Sequence, residues 1–372
     1  MKRLVLLNPG PINVTARVQK ALWRGDLCPR EEESSRLMGQ IRRKLTEAFG
    51  INQEYTAVLI SGSGTAALEM SISSSLSPGK SILVIQNGVY GERIAKIAEI
   101  YQFKKHVLNY PWGQPPRLED IDKALNDFPD IEVIAMVHHE TTTGLLNPLE
   151  KVGELARKYE KRFLADCISS LGGDRIVFDS ASPDFIAGTA NKCLHGLPGV
   201  SFVLFRKKEL CWLNKMPARS LYLNLFAHHG AQEAGDMLFT PAIQVHYALD
   251  EALDELQEET VQKRIERYEN NASLLRKGFQ DIGLAFLVPE GMRSNCLTSL
   301  KLPEGISYNW LHDRLKENGF VIYAGQGNFN EKIFRVANMG DIRKEEFEQF
   351  LEVLKECFVG RGGIEGMSHD SV

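Results

Sequence analysis

Short apolar segments alternate with longer amphipathic segments through the first two thirds of the chain. The apolar segments, rich in Val, Ile and Phe, are predicted to be strands over residues 57–61, 81–86, 104–110, 132–137, 162–167, 185–190 and 200–205. Several are apolar almost throughout, which is typical of strands that are buried on both faces. The intervening segments have helical length and cover residues 64–75, 91–101, 118–127 and 148–159. This alternation predicts an α/β fold with a mostly parallel sheet sandwiched by helices.

The pattern changes after about residue 245. Residues 245–278 are highly charged and contain no proline, which predicts one long helix that bridges two domains. Beyond it, the sequence indicates a small α+β domain, with strands at 285–288, 296–302 and 333–336 and helices at 308–318 and 344–357.

The predicted organisation has four parts. They are an N-terminal segment over residues 1–14, a large domain over 15–245, a small C-terminal domain over 246–359 and a tail over 360–372. The length of 372 residues suits one large domain with a smaller one. The tail is rich in glycine and poor in apolar residues, so we expect it to be frayed.

Charge and hydropathy exclude several classes of partner. With 44 basic and 48 acidic residues, the net charge of −4 offers no support for a nucleic-acid or anionic-membrane partner. No apolar run approaches the length of a transmembrane helix, and the run at residues 4–7 is too short for a signal peptide. We therefore expect a cytoplasmic protein.

The cysteine and histidine patterns do not predict a metal site. The six cysteines form no CxxC pair and no zinc-type spacing, so we interpret them as reduced and mostly inert. The histidine pairs at 138–139 and 228–229 have no acidic partner at ligand spacing, and we interpret them as packing residues.

A loop with phosphate-binding character follows the first strand of the predicted sheet. Ser61-Gly62-Ser63-Gly64-Thr65 lies between that strand and a helix, where backbone N–H groups and the helix dipole favour an anion. The loop is neither a Walker A motif nor GxGxxG, and a plain strand-to-helix turn remains the alternative.

Two further residues lie at or just after the ends of predicted strands. Asp166 ends the strand at 162–167, and Lys192 follows the strand at 185–190 among small and apolar neighbours. Taken singly, Asp166 is equally consistent with a turn cap, and Lys192 with a solvated surface charge. The carboxyl ends of parallel strands meet at one sheet edge, where α/β folds bind ligands. A phosphate loop, an aspartate and a lysine at that edge are the components of a pyridoxal-phosphate site.

The chain resembles the class V, fold-type I aminotransferases, and within them the 2-aminoethylphosphonate:pyruvate aminotransferases. The matching segments run almost end to end, and they cover residues 6–11, 26–31, 61–65, 87–93, 139–148, 190–193 with 196–199, 218–221, 239–241 and 334–340. Asn8 stands where the family usually has threonine, which is a mild departure.

The resemblance implies individual roles for residues of this chain. It assigns the Schiff-base lysine to Lys192 and the partner of the pyridine nitrogen to Asp166. Tyr90 would stack on the cofactor ring, and the phosphate and ring substituents would be held by Ser63, Gly64, Thr65, Thr141 and Asn191. Arg335 would bind the substrate anion, and Arg219 could assist it. Thr240 would reach the cofactor of a neighbouring subunit, which implies a homodimer with shared active sites.

The implied reaction is the transfer of an amino group from 2-aminoethylphosphonate to pyruvate, with pyridoxal 5'-phosphate as cofactor. An alternative with the same site is a serine- or alanine:glyoxylate-type, or serine:pyruvate, aminotransferase. A different class, a nucleotide- or NAD-binding oxidoreductase, is suggested only by the βαβ pattern, and the missing GxGxxG fingerprint argues against it.

Overall fold

The computed structural model describes residues 3–179 and 181–359. The tail predicted at 360–372 lies outside them. Within the described ranges the strands are β1 (Val5–Leu6), β2 (Tyr55–Ser61), β3 (Ser81–Gln86), β4 (Lys104–Asn109), β5 (Ile131–Val137), β6 (His139–Glu140), β7 (Leu145–Leu146), β8 (Arg162–Asp166), β9 (Phe185–Thr189), β10 (Val200–Arg206), β11 (Leu297–Lys301), β12 (Phe320–Val321), β13 (Tyr323–Ala324) and β14 (Ile333–Ala337). The helices are α1 (Ala16–Ala21), α2 (Glu32–Glu47), α3 (Gly64–Ser74), α4 (Val89–Ile100), α5 (Leu118–Asp127), α6 (Leu149–Lys158), α7 (Leu210–Leu213), α8 (Leu225–Glu233), α9 (Ile243–Glu259), α10 (Val261–Asp281), α11 (Tyr308–Glu317) and α12 (Lys344–Val359).

The seven strands of the main sheet lie in the order β2-β10-β9-β8-β5-β3-β4. The pairs β9–β8, β8–β5, β5–β3 and β3–β4 are parallel, whereas β10 is antiparallel to both of its neighbours. All seven are strands that the apolar runs predicted, and the mostly parallel α/β fold is confirmed.

Both faces of this sheet are buried, which explains the apolar runs. In β2, Ala57 and Leu59 pack into one hydrophobic cluster, and Val58 and Ile60 pack into another on the opposite face. Helices α2, α5, α6 and α9 contribute to the first cluster, and α3 and α4 contribute to the second. Because successive side chains of a strand point to opposite faces, a strand with two apolar faces requires helices on both sides.

A smaller antiparallel sheet, β11-β14-β13, lies in the C-terminal part of the chain. Strands β11 and β14 share a hydrophobic cluster with residues of α10, α11 and α12. The N-terminal strand β1 joins this region through parallel pairing with β12, with Val5 opposite Phe320. The chain then returns past β14, where Ala337 N donates to Leu7 O at 2.8 Å.

The prediction of one helix over 245–278 is wrong, because the structure has two helices that meet at Thr260. Thr260 adopts φ +72°, a left-handed conformation that interrupts a right-handed helix. Its hydroxyl accepts a hydrogen bond from Lys263 N at 3.3 Å and so caps the start of α10. The predicted strand at 285–288 is also absent from the described elements, with one bridge, Phe286 to Leu300, in its place.

The predicted domain boundaries remain a prediction. In the described part of the chain, no helix combines the length and the apolarity that crossing a membrane requires.

Candidate active site

The carboxyl ends of β2, β3, β5, β8 and β9 lie along one edge of the main sheet, because these strands run in the same direction. Asp166 is the last residue of β8, and Lys192 follows the adjacent strand β9 by three residues. Sheet order therefore brings together two residues that are 26 positions apart in the sequence. This edge is where parallel α/β sheets bind ligands.

Asp166 is almost fully buried, with 3% of its surface exposed. Its Oδ1 accepts a hydrogen bond from Ile168 N at 2.9 Å. Burial raises the pKa of Asp166 to about 6, and the positive charges of Arg93 and Lys192 oppose that rise. A further cation beside this carboxylate would favour its ionised form.

Lys192 lies in a loop that folds back on itself, since His195 N donates to Lys192 O and Gly196 N donates to Ala190 O. Burial lowers the pKa of Lys192 to about 8, and the nearby charge of Arg335 contributes to the lowering. Asp166 acts in the opposite direction. An amine with this pKa is available as a nucleophile and base near neutral pH.

The arrangement of residues at the start of α3 is consistent with the predicted phosphate loop. Ser63 is the N-cap residue, but its side chain makes no capping hydrogen bond and is exposed. A Cβ on Gly64 would stand 2.9 Å from Ile168, so this glycine allows the loop to pack against the segment after Asp166. The free hydroxyl and the helix N-terminus together suit a phosphate group.

Arg93, for which the sequence suggested no role, adjoins the same loop. Its Nη1 donates to Thr65 Oγ1 at 3.1 Å, and its guanidinium lies over the Tyr90 ring at 4.6 Å. Tyr90 itself is half-buried in the first turn of α4. Arg93 and Tyr90 are three positions apart on one helix, so a single helix face presents both to the site.

Glu140 is a second residue that the sequence reasoning missed. It is completely buried, and its carboxylate accepts hydrogen bonds from Tyr90 N at 3.2 Å and from Gly91 N at 3.1 Å. It also accepts from Thr142 N and Thr142 Oγ1. Burial raises the pKa of Glu140 to about 7, although these hydrogen bonds oppose the rise. Glu140 thus caps α4 and fixes the backbone that carries Tyr90.

Arg335, in β14 of the small sheet, contacts Thr141 in the turn between β6 and β7. Arg335 Nη1 donates to Thr141 O at 2.8 Å, and Arg335 Nε donates to Ala324 O at 2.8 Å. Arg335 is 2% exposed, and no carboxylate of the described residues forms an ion pair with it. Thr141 Oγ1 is buried and has no hydrogen-bond partner in the described structure. A buried cation and an orphaned hydroxyl are both expected to bind a ligand.

Three predicted site residues remain, namely Asn191, Thr240 and Arg219. Asn191 Oδ1 accepts a hydrogen bond from Thr189 Oγ1 at 2.8 Å. Thr240 is exposed, in the segment between α8 and α9. Arg219 donates to Ser73 O at 2.9 Å and Leu76 O at 2.6 Å, at the end of α3 opposite the phosphate loop. An 11-residue helix separates these ends by about 15 Å, so the geometry adds no support for a substrate contact by Arg219.

A buried cluster behind Lys192 contains residues of metal-ligating type. Donor atoms of His139, Asp174 and Cys296 lie within 4.8 Å of one another. Ser294 Oγ donates to Asp174 Oδ2 at 2.7 Å, and Asn295 N donates to Asp174 Oδ1 at 2.7 Å. Both oxygens of Asp174 thus already accept hydrogen bonds. We interpret the cluster as a polar link between the segment that follows β8 in the main sheet and the segment that precedes β11 in the small sheet.

These features fit a cofactor that has a phosphate, a ring nitrogen and a ring hydroxyl. Ser63 and the α3 N-terminus suit the phosphate, Asp166 suits a protonated ring nitrogen, and Thr141 Oγ1 suits the ring hydroxyl. Lys192 provides an amine beside them. The fold and site define a fold-type I aminotransferase, and the class V fold implies pyridoxal phosphate.

The comparisons with known proteins agree with this class. Residues 21–336 match the family model described as aminotransferase class-V, and the chain belongs to this family. It is therefore an aminotransferase, and the nucleotide-binding alternative is set aside.

The similar proteins span nearly the whole chain. The chain is 36% identical over 359 residues to a 2-aminoethylphosphonate–pyruvate transaminase of Vibrio cholerae serotype O1, covering 95% of this chain and 97% of the relative. An alanine–glyoxylate aminotransferase from Nostoc sp. has a TM-score of 0.89 at 29% identity, covering 96% of this chain and 95% of its own. A ureidoglycine–glyoxylate aminotransferase from Bacillus subtilis has a TM-score of 0.92 at 26% identity, covering 98% and 95%. The resemblance that the motifs indicated is confirmed.

Proposed function

We propose that this enzyme transfers the amino group of 2-aminoethylphosphonate to pyruvate, giving phosphonoacetaldehyde and alanine, in either direction. The observation that carries the proposal is the 36% identity, over 95% of the chain, to a transaminase named for these two substrates. The buried, carboxylate-free Arg335 beside Lys192 supports it, because both substrates carry an anionic group.

Pyridoxal 5'-phosphate is the proposed cofactor. When bound, it supplies an aldehyde carbon that links to amines and a ring that accepts an electron pair from the substrate carbon. Ser63, Gly64 and Thr65 would hold its phosphate, Tyr90 would pack on its ring, and Thr141 would donate a hydrogen bond from its otherwise unpaired Oγ1. Asn191 adjoins the lysine that binds the cofactor.

Lys192 and Asp166 perform the proton chemistry of the proposed reaction. The Nζ atom of Lys192 takes a proton from the substrate carbon that bears the amino group, which its lowered pKa of about 8 favours. The carboxylate of Asp166 holds a proton at the ring nitrogen, and the cation there offsets the cost of burying Asp166. The second half-reaction uses the same groups in reverse order.

Arg335 binds the anionic end of each substrate. Its Nε and Nη1 donate to protein oxygens, whereas no hydrogen bond from Nη2 is found among the described residues. The fixed guanidinium therefore leaves the N–H groups of Nη2 for a phosphonate or carboxylate oxygen. One anion site at a fixed distance from Lys192 serves both halves of the reaction. The secondary contact by Arg219 rests on the family resemblance alone, because its hydrogen bonds to Ser73 O and Leu76 O hold it at the far end of α3.

A serine- or alanine:glyoxylate-type activity is the alternative. It uses the same residues, with a carboxylate in place of the phosphonate. The similarity to the alanine–glyoxylate aminotransferase of Nostoc sp. favours this alternative.

The proposed active unit is a cytoplasmic homodimer. Thr240 is exposed in the single chain, as expected of a residue that contributes to a second subunit's site. Trp23 and Leu221 are each 85% exposed, and large apolar side chains on a surface are typical of a protein interface.

The test measures alanine formation from pyruvate with 2-aminoethylphosphonate, serine or β-alanine as the donor, and glycine formation from glyoxylate with alanine as the donor. A phosphonate site must neutralise up to two negative charges, and one mispaired charged contact costs roughly 10- to 150-fold in specificity. We expect kcat/KM for 2-aminoethylphosphonate with pyruvate to exceed the values for serine, β-alanine, and alanine with glyoxylate by at least about tenfold. A better rate with serine or alanine supports the alternative and rejects the phosphonate assignment.

A further inference from the structure

The loop that carries Lys192 contains a residue in an unfavourable backbone conformation. His195, three positions after Lys192, has φ +63°, in the left-handed region that side chains other than glycine rarely occupy. It is 3% exposed, so neither water nor a flexible surface accommodates it. Such a conformation persists only when surrounding contacts hold it, and it is typical of functional sites.

Tyr268, on the long helix α10, holds His195. The His195 Nε2 atom and the Tyr268 hydroxyl oxygen are 2.6 Å apart, and both residues are buried. The Gly340 N–H donates to the same hydroxyl at 3.1 Å, which leaves the hydroxyl proton available for His195 Nε2. Burial lowers the pKa of His195 well below its usual range, which keeps the imidazole neutral and able to accept.

A second contact from the same helix reaches the residue next to Lys192. Arg264 Nη1 donates to Cys193 O at 3.1 Å, and Arg264 Nε donates to Glu259 Oε2 at 2.7 Å. Arg264 is 2% exposed and forms an ion pair with Glu259, which Arg267 also contacts. Arg264 and Tyr268 are four positions apart, so one face of α10 contacts both sides of the turn that follows Lys192.

We propose that Tyr268 is a positioning residue for the aminotransferase reaction, acting through His195 to hold the Lys192 loop in its catalytic geometry, with Arg264 as its partner. This inference rests on the proposed function of Lys192. Each substrate must place its carbon against Nζ, and a misplacement of about 1 Å can reduce a rate roughly 100-fold. A rigid contact from α10 to this turn limits such misplacement in both half-reactions.

The test compares Tyr268→Phe with Tyr55→Phe. The first change keeps the ring and deletes the hydroxyl that contacts His195 and Gly340. Tyr55 is a matched control, because it is 2% exposed and its hydroxyl donates to Pro183 O at 2.8 Å. Tyr55 begins β2, and the phosphate loop follows its other end, about 20 Å away.

We expect Tyr268→Phe to lower kcat about 10- to 100-fold while KM for each substrate changes less than about threefold. In the cofactor-free protein, amide hydrogen exchange over residues 190–199 should accelerate at least about tenfold. Tyr55→Phe should lose thermal stability to a similar extent, with kcat and exchange in that loop unchanged. Equal behaviour of the two variants in kcat and in loop exchange overturns the inference.

A second pair of variants covers the case in which Tyr268→Phe does not fold. His195→Gln keeps an acceptor for the Tyr268 hydroxyl, whereas His195→Leu does not. We expect His195→Gln to retain at least about ten times the kcat of His195→Leu, and equal kcat values contradict the inference. Failure of the proposed function is separate, because it appears in the wild type, either as no amino transfer with any donor or as a better rate with serine or alanine than with 2-aminoethylphosphonate.

Discussion

Gly10 lies against the side chain of Lys192 so closely that a Cβ atom at residue 10 would stand 2.8 Å from Lys192 Cδ and Cε and 2.9 Å from Nζ. Gly10 also has φ +103°, which disfavours other residues. The pairing of β1 with β12 anchors the segment that leads to this contact. The N-terminal segment therefore forms one wall of the space around the reactive amine.

Gly10→Ala should displace Lys192 and reduce kcat at least about tenfold. Gly79→Ala is the control, because Gly79 has φ +77° but a Cβ atom added there would meet no other atom within 4 Å. Both changes add backbone strain of about 1–3 kcal/mol, measurable as a lower melting temperature. If the two variants retain equal kcat, the wall at Gly10 does not position Lys192.

The lowered pKa of Lys192 predicts a pH dependence for cofactor uptake. The neutral amine is the nucleophile, so the rate of pyridoxal-phosphate addition to cofactor-free protein should rise with pH and level off above about pH 8. Stopped-flow absorbance measures this rate. A rise that continues to about pH 10 shows instead an amine with the usual lysine pKa, which contradicts the burial argument.

Glu140→Gln should weaken cofactor binding without touching the cofactor. Both carboxylate oxygens of Glu140 accept hydrogen bonds, and an amide replaces one acceptor with a donor. We expect a loss of about 1–3 kcal/mol in the free energy of unfolding and a several-fold higher Kd for pyridoxal phosphate. Glu99→Gln, an exposed change on the same helix, serves as the control. Unchanged Kd in Glu140→Gln means that the cap on α4 does not position Tyr90.

Asp166→Asn should reduce kcat on the order of 100-fold, because it removes the charge that holds a proton at the ring nitrogen. Thermal stability should change little, since the amide oxygen can still accept from Ile168 N. Asp184→Asn is a matched buried carboxylate before β9, at the opposite edge of the sheet, where Asp184 Oδ2 accepts from Phe163 N. The Asp184→Asn variant should lose thermal stability and keep the kcat of the wild type. The reverse pattern would identify Asp166 as only a turn cap.

Much of the large sheet was predictable because its strands are buried on both faces. Their near-continuous apolar runs indicated their positions to within about two residues. The missed helix α2 also carries a signal, since Leu37, Met38, Ile41 and Leu45 follow helical spacing. The break at Thr260 has no such signal, because neither glycine nor proline marks it.

Asp166 and Lys192 were predictable because each combines a functional residue type with a position at or just after the end of a strand. Glu140 was missed because its role depends on the N-terminus of α4, which comes from a different strand connection. Arg264 resembles an ordinary solvated charge on a charged helix, and tertiary packing alone buries it. The pairing of Val5 with Phe320 joins residues that are 315 positions apart in the sequence, which no local pattern encodes.

The most direct test of the account is to identify the residue that binds the cofactor. Purified wild-type protein is loaded with pyridoxal phosphate, reduced with borohydride, digested and mapped by mass spectrometry. The account predicts that the reduced phosphopyridoxyl group is found on Lys192, and that Lys192→Ala carries none. A label on another lysine, or a protein that takes up no cofactor, would contradict it.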